Sequence, residues 1–277
     1  MILVIGGNGM IGRALLRHAS LIGLPCSQTS RNHDAPHHLD LAESPEKWNI
    51  PSGIENAIIC ASVTGIARCE SNPKVTRQIN VHATKDLIQR LSGIGATITF
   101  LSSNLVFAHD AIAPSESSTP NPASEYGRQK LAIEEFLLSS FPSSRIVRPT
   151  KVVSSSMPLF LKWIGSLAHG QSIEAFLDLH FSPIALPLLA EWVMRIAQGK
   201  KSGVFHLSAA DSISYADAAR WIAQRFDARD LLLDFHSAPL PNNPNTCRLS
   251  CDRTTLLTGF QPMSSLQNLE YSWLPEK

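Results

Sequence analysis

The chain has 277 residues, which suits one large α/β domain or a core with a smaller lobe, and it is long enough to bury a substantial core. Its formal net charge is +1 with no charge block, so neither nucleic acid nor an anionic membrane surface is indicated as a partner. The start of the chain lacks the basic leader of a secretory signal, and no apolar run reaches the roughly 20 residues of a spanning helix.

In chain order, residues 1–5 are a continuous apolar run rich in β-branched side chains, the pattern of a buried parallel strand. Gly6-Gly7-Asn8-Gly9-Met10-Ile11-Gly12 follows at once and opens a helical pattern over 13–21. Glycines let the backbone turn tightly and approach a pyrophosphate, and the helix N-terminus offers it free N–H groups. Gly6, Asn8, Gly9, Met10, Ile11 and Gly12 are therefore expected to hold a dinucleotide. The alternative is a tight strand–helix turn without a ligand.

A second strand is predicted near 25–29. The acidic residue that usually binds ribose hydroxyls in NAD sites is missing after it. Ser30 and Arg31 stand there instead, and Arg31 can pair with a 2′-phosphate, so NADP(H) is preferred over NAD(H). Residues 39–41 read as a short strand end, with Asp40 and Leu41 toward the adenine. Residues 56–62 are the next buried strand, and Cys60, Ala61 and Ser62 at its carboxyl end let a cofactor pass. A helix over 75–91 and a strand over 96–102 come next. Ser102, Ser103 and Asn104 then sit at a carboxyl end, where a reacting hydroxyl belongs, although two serines after a strand are also ordinary turn chemistry. Residues 111–124 are a Pro/Ser/Asn-rich loop that delivers Ser124 as a helix N-cap.

Tyr126 and Lys130 are four residues apart on that helix and share a face. An ammonium near a phenol lowers the phenol pKa, which fits Tyr126 for proton transfer. Tyr-x-x-x-Lys also occurs on solvated helices, so the pair gains meaning from the glycine turn upstream. Residues 144–148 are a further strand. Residues 157–167 form a helix whose Phe160 and Trp163 read as core. Residues 181–197 return to the first domain, and 204–207 add a strand. Ser214 caps a helix over 215–226 that turns Ala219, Ile222 and Phe226 inward. Residues 231–245 read as a Pro/Asn-rich loop.

The five cysteines, Cys26, Cys60, Cys69, Cys247 and Cys251, are scattered and fit idle thiols in a reducing cytoplasm. His37 and His38 read as surface loop residues, and no metal is expected.

The motifs in order resemble the extended short-chain dehydrogenase/reductases, most of all the dTDP-4-dehydrorhamnose reductase branch of the NAD-dependent epimerase/dehydratase family. The resemblance rests on 6–12, on Leu101-Ser102-Ser103-Asn104-Leu105-Val106-Phe107, and on Pro120-Asn121-Pro122 with Tyr126-Gly127-Arg128-Gln129-Lys130. Arg148-Pro149-Thr150, Phe181-Ser182-Pro183 and 203–208 extend it over nearly the whole chain. It implies an α/β fold with a Rossmann-type doubly wound parallel sheet and a smaller C-terminal substrate lobe. Residues 1–153 would form the cofactor domain, joined by 182–209, and 154–277 mainly the lobe.

The resemblance also implies roles. Tyr126 would protonate a carbonyl oxygen, Ser103 would hydrogen-bond it, and Lys130 would hold the nicotinamide ribose. The substrate would be a nucleotide-activated 4-keto sugar, and a homodimer is an option. Thr64, Asn104, Leu105, Lys151 and Arg248 are the substrate-side candidates. The chain departs from the family pattern at Val63, Asn104-Leu105 and Lys151, where the family has Tyr, Asp-Tyr and Trp. Two other functions stay open: an epimerase that retains NAD, and a cofactor-binding regulatory subunit without catalysis.

Overall fold

The computed structural model describes residues 1–226, 233–239 and 248–273. Strand β1 (Ile2–Ile5) leads through helix α1 (Met10–Leu21) to β2 (Cys26–Gln28). After β3 (Asn56–Ile59), the chain runs through α2 (Ile66–Ser71), α3 (Pro73–Arg77) and α4 (Thr84–Gly93) to β4 (Thr97–Leu101). Helix α5 (Glu125–Ser140) follows, then β5 (Arg145–Pro149). Next come β6 (Lys151–Val153), α6 (Pro158–Ala168), β7 (Ile173–Phe176), β8 (His180–Phe181) and β9 (Pro183–Ala185). Helix α7 (Leu186–Gln198) and β10 (Gly203–Leu207) precede β11 (Ile213–Ser214), α8 (Tyr215–Arg225) and β12 (Leu233–His236). Helices α9 (Asp252–Thr258) and α10 (Ser265–Ser272) end the described chain.

Six strands form one sheet in the order β2-β1-β3-β4-β5-β10, with every pair parallel. Alternation within β1 explains why helices must cover both faces. Ile2 and Val4 pack into a cluster with Leu15 and Ala19 of α1 and Leu189 and Val193 of α7. Leu3 and Ile5 point the other way, into a cluster with Leu87 and Ile88 of α4 and Ile133 and Leu137 of α5. Burial of each such side chain contributes about 1.5–3 kcal/mol. The chain order reverses between β1 and β3, and the crevice at the carboxyl ends there is where an open α/β sheet takes its ligand.

The lobe has its own core. Phe160, Trp163 and Leu167 of α6 pack with Ile173, Ala175, Ala219 and Ile222. Phe160 and Trp163 are buried, as the helical spacing predicts. The cap of α8 is reciprocal: Asp217 N donates to Ser214 Oγ at 3.0 Å and Ser214 N to Asp217 Oδ2 at 3.4 Å.

Several expectations fail for identifiable reasons. No strand forms at 39–41; a lone bridge joins Ser30 to His38, and Asp40 starts a turn with Ala42 N on its Oδ1 at 2.9 Å. Within 231–245, β12 pairs in parallel with β7, so a strand replaces the predicted loop there. Residues 231, 232 and 240–245 of that stretch, and Cys247, lie outside the described residues. Phe226 ends α8 exposed, its ring edge-on to Trp273, instead of pointing inward. His38 is buried, not a surface residue. In the C-terminal segment, Cys251 and Phe260 pack in the cluster that contains β1, α1 and α7 residues. Cys26, Cys60, Cys69 and Cys251 are unpaired thiols. No helix among the described residues is long and apolar enough to cross a membrane.

Candidate active site

The glycine turn is shaped by close backbone approach. Gly6 has φ +88°, and a Cβ there would stand 2.9 Å from Ala61 N, so this position requires glycine. Gly9 N donates to Gly6 O at 3.0 Å, and a Cβ on Gly12 would collide with that same Gly6 carbonyl. Gly9 is the N-cap of α1, so the N–H groups of its first turn, at Met10, Ile11 and Gly12, have no partner within the helix. Gly7 adds a contact absent from the sequence argument: a Cβ there would collide with the Gln28 side chain.

At the mouth of this turn, Asn8 Nδ2 donates to Ser30 Oγ at 2.9 Å, and Asn32 N donates to the same oxygen at 3.0 Å. Arg31 is exposed and makes no hydrogen bond or ion pair among the described residues. Asp40 uses its carbonyl on Trp48 Nε1 at 2.8 Å, and Leu41 is buried in the adjoining cluster. Cys60 turns its thiol onto Ile5 O at 3.0 Å, and burial pushes its pKa up to about 12, so it stays a thiol. A narrow glycine cradle, unpaired helix N–H groups and an unengaged guanidinium together fit a dinucleotide phosphate chain with a 2′-phosphate.

Helix α5 carries Tyr126 and Lys130. Ser124 Oγ accepts from Gly127 N at 3.1 Å and caps the helix, as the sequence predicts. The Lys130 ammonium donates to Leu101 O at 2.8 Å and lies 4.7 Å from the Phe100 ring centroid and 5.6 Å from that of Tyr126. Gly127 lies so close to Leu105 that a Cβ would collide with the Leu105 carbonyl. These two approaches press the Tyr126 turn of α5 onto the segment that carries Ser103. Ser103 caps the short turn Asn104–Val106, accepting from Leu105 N at 3.2 Å, and its hydroxyl reaches Asn104 Oδ1 at 3.4 Å.

Tyr126 is 8% exposed, and burial first, with Cys69 second, raises its pKa above the ordinary tyrosine value. Helical spacing alone predicts the opposite, a phenol lowered by Lys130. Burial wins because Lys130 is itself deeply buried, and its own pKa falls to about 8. Tyr126 is thus held as a neutral phenol, the state of a proton donor.

One component has no counterpart in the sequence argument. Asn80 lies where the helical path from α3 to α4 widens into a π turn over Gln78–Ala83. Its Oδ1 accepts from Val63 N at 2.8 Å and Ser62 Oγ at 3.1 Å, and its Nδ2 donates to Gln129 Oε1 at 2.8 Å. Gln129 Nε2 in turn donates to Thr76 Oγ1 at 2.9 Å and Glu125 Oε1 at 3.0 Å. The carboxyl end of β3 is thereby bound to the helix bearing Tyr126. A polar residue amid the buried positions Val81, Ala83 and Thr84 is the signal that could have found it.

The substrate-side candidates lie at the same end of the sheet. Thr64 is exposed just beyond the Asn80 clamp, and Lys151 is exposed at the first residue of β6, directly after β5. Arg248 donates to Ala210 O at 3.3 Å, which places it beyond the carboxyl end of β10. Asn104 and Leu105 are half-buried beside Ser103.

A family model described as the RmlD substrate binding domain matches residues 1–271. Among curated proteins, the chain is 26% identical to a probable low-salt glycan biosynthesis reductase of Haloferax volcanii, over 80% of this chain and 78% of that protein. It is 28% identical to a dTDP-4-dehydrorhamnose reductase of Sinorhizobium fredii, over 73% of each. A solved dTDP-4-dehydrorhamnose reductase of Bacillus anthracis, in complex with NADP, has the same fold: TM-score 0.84, 19% identity, 99% of this chain and 97% of that one.

Proposed function

Because the chain belongs to the RmlD substrate binding domain family, we propose that it is an NADP(H)-dependent reductase of a keto group on a nucleotide-activated 4-keto sugar. The observation that carries this is the seating of α5. Lys130 on Leu101 O and Gly127 against Leu105 hold the first turns of α5 against the segment after β4 that carries Ser103, which supports a shared role for Tyr126 and Ser103. The glycine cradle lies at the same, carboxyl end of the sheet. Relatives named as reductases, and a fold neighbour solved with NADP, support the choice of chemistry and cofactor.

When bound, the nicotinamide supplies a hydride. The chain's own residues do the remainder. Gly6, Gly9 and the first turn of α1 bind the diphosphate, and Ser30 and Arg31 bind the 2′-phosphate. Ser103 Oγ orients the carbonyl oxygen by a hydrogen bond, exchanging its contact with Asn104. Tyr126 gives its phenolic proton to that oxygen as negative charge builds on it. The raised pKa keeps the proton in place until then. Lys130 stabilises the phenolate left behind and holds the nicotinamide ribose. Thr64, Asn104, Leu105, Lys151 and Arg248 contact the sugar nucleotide. The test is oxidation of NADPH by purified protein with a panel of dTDP- and UDP-linked 4-keto sugars. Failure of every such substrate to oxidise NADPH would overturn the proposal.

A further inference from the structure

The loop between β2 and β3 holds a side-chain cluster that the proposed reaction does not use. Ser30 N donates to His37 O at 3.0 Å and Leu39 N to Ser30 O at 2.8 Å, which closes the loop at its base. His33 lies exposed near the tip and His38 buried at the return. Their imidazoles stack with centroids 4.2 Å apart and planes 25° from parallel. Both rings direct Nε2 at one carboxylate: His33 stands 3.5 Å from Glu43 Oε1 and His38 2.9 Å from Glu43 Oε2. The three ligand atoms all lie within 4.8 Å of one another.

The frame behind them is fixed. The His38 carbonyl accepts from Asn49 N at 2.8 Å, Asn49 Nδ2 donates to Pro36 O at 2.6 Å, and Glu43 N donates to Asp40 O at 3.1 Å. Asp40 Oδ1 is engaged by Ala42 N. Lys47 is the cation that acts on Glu43 from the adjoining turn.

We propose that His33, His38 and Glu43 bind a divalent transition-metal ion of the zinc class. Two donors each about 2.0–2.1 Å from a tetrahedral zinc ion stand about 3.4 Å apart, and the two N–O separations here, 2.9 and 3.5 Å, bracket that value. Two imidazoles with one carboxylate suit zinc, cobalt or nickel, whereas magnesium and calcium prefer oxygen-only shells. Without a metal, each imidazole can donate an Nε2–H to its own carboxylate oxygen, so two such contacts hold the metal-free cluster. A metal ion uses all three lone pairs at once, and the exposed side of His33 leaves a position for water.

His38 Nδ1 is buried without a hydrogen bond of ordinary geometry, and the Asn32 backbone gives that ring only loose support. Firm support of this kind is worth about 10–100-fold in metal affinity, so binding weaker by about that factor than at a fully supported site is expected. The ion would tie the tip of the loop to its return. Under the proposed function, that loop presents Ser30 and Arg31 to the 2′-phosphate, so occupancy would stiffen the cofactor's adenosine end.

The test is titration of the full chain, freed of metal, with Co²⁺ followed by visible absorption, and with Zn²⁺ by calorimetry. One ion per chain is expected. His33→Ala and Glu43→Gln should each weaken binding at least about tenfold while leaving the circular dichroism spectrum unchanged, since both side chains lie on a loop. His236→Ala, in the separate group Glu174, Asp234 and His236, should leave it intact. Absence of Co²⁺ and Zn²⁺ binding at millimolar metal would overturn the proposal. So would binding that survives both loop substitutions, or that is lost in His236→Ala. Neither titration needs NADPH or turnover, so the outcome is independent of the proposed reaction.

Discussion

The Lys130 ammonium donates to the Leu101 carbonyl at 2.8 Å while fully shielded behind Tyr126 and Phe100, and burial lowers its pKa from 10.5 to about 8. Between about 8 and 10.5 Lys130 is therefore more protonated in the unfolded chain than in the folded one. The Lys130 contribution to stability must rise with pH across that window, and below it the whole cost of burying this charge is present; the buried thiols and Tyr126, whose pKa values are raised, act in the opposite direction in both proteins. Lys130→Met removes the charge and keeps the stem. Chemical denaturation of both proteins at several pH values should show the wild type gaining on the variant as pH rises through the window, by up to about 3 kcal/mol. A constant difference between the two would mean that Lys130 titrates near its ordinary value.

Tyr126→Phe removes one oxygen from a buried ring and leaves the packing of α5. Turnover with NADPH and a 4-keto sugar nucleotide should fall about 100- to 10,000-fold, the usual worth of a positioned general acid. The dissociation constant of NADPH, read by fluorescence, should change less than about threefold, since the glycine cradle and Arg31 are untouched. A variant that turned over at the wild-type rate would remove Tyr126 from the reaction.

Gly127→Ala tests the seating of α5. The new Cβ would collide with the Leu105 carbonyl and stand 2.9 Å from Pro122 Cβ, so either the helix or the Ser103 turn must move. Forced overpacking of this kind costs about 1–3 kcal/mol. A lowered melting temperature is expected together with loss of turnover larger than the stability loss explains. Gly165→Ala is the control, because a Cβ there meets nothing within 4 Å.

The parts legible in the sequence are those set by local pattern. Short apolar runs located the sheet strands, and glycine spacing located the turn after β1. Ser124 and Ser214 announced their helices because capping needs only neighbours in the chain. What was not legible depends on distant partners. β12 is a short alternating Leu-Asp-Phe-His segment just before a Pro/Asn-rich run that reads as loop, and its pairing with β7 is a distant partnership. His38 is buried because Glu43 and the Asn49 backbone hold it, which alternation along a loop does not reveal. The sign of the Tyr126 shift was missed because helical spacing reports the proximity of Lys130 and says nothing of how dry the pair is. Gly127 stood in the motif, but its purpose, clearance for Leu105 O, is a tertiary fact.

Arg31→Ala addresses cofactor choice. The guanidinium is exposed and unengaged among the described residues, beside a Ser30 hydroxyl already ordered by Asn8 and Asn32. Removal should therefore cost the fold almost nothing while withdrawing the charge available to a 2′-phosphate. The KM for NADPH should rise at least about tenfold, as a lost charge-assisted bond of about 1.5–3 kcal/mol requires, and that for NADH should stay within about twofold. The NADPH penalty should also shrink at high salt, because an exposed ion pair is screened. Equal effects on both cofactors would mean that Arg31 shapes the adenosine pocket as a whole and does not read the phosphate.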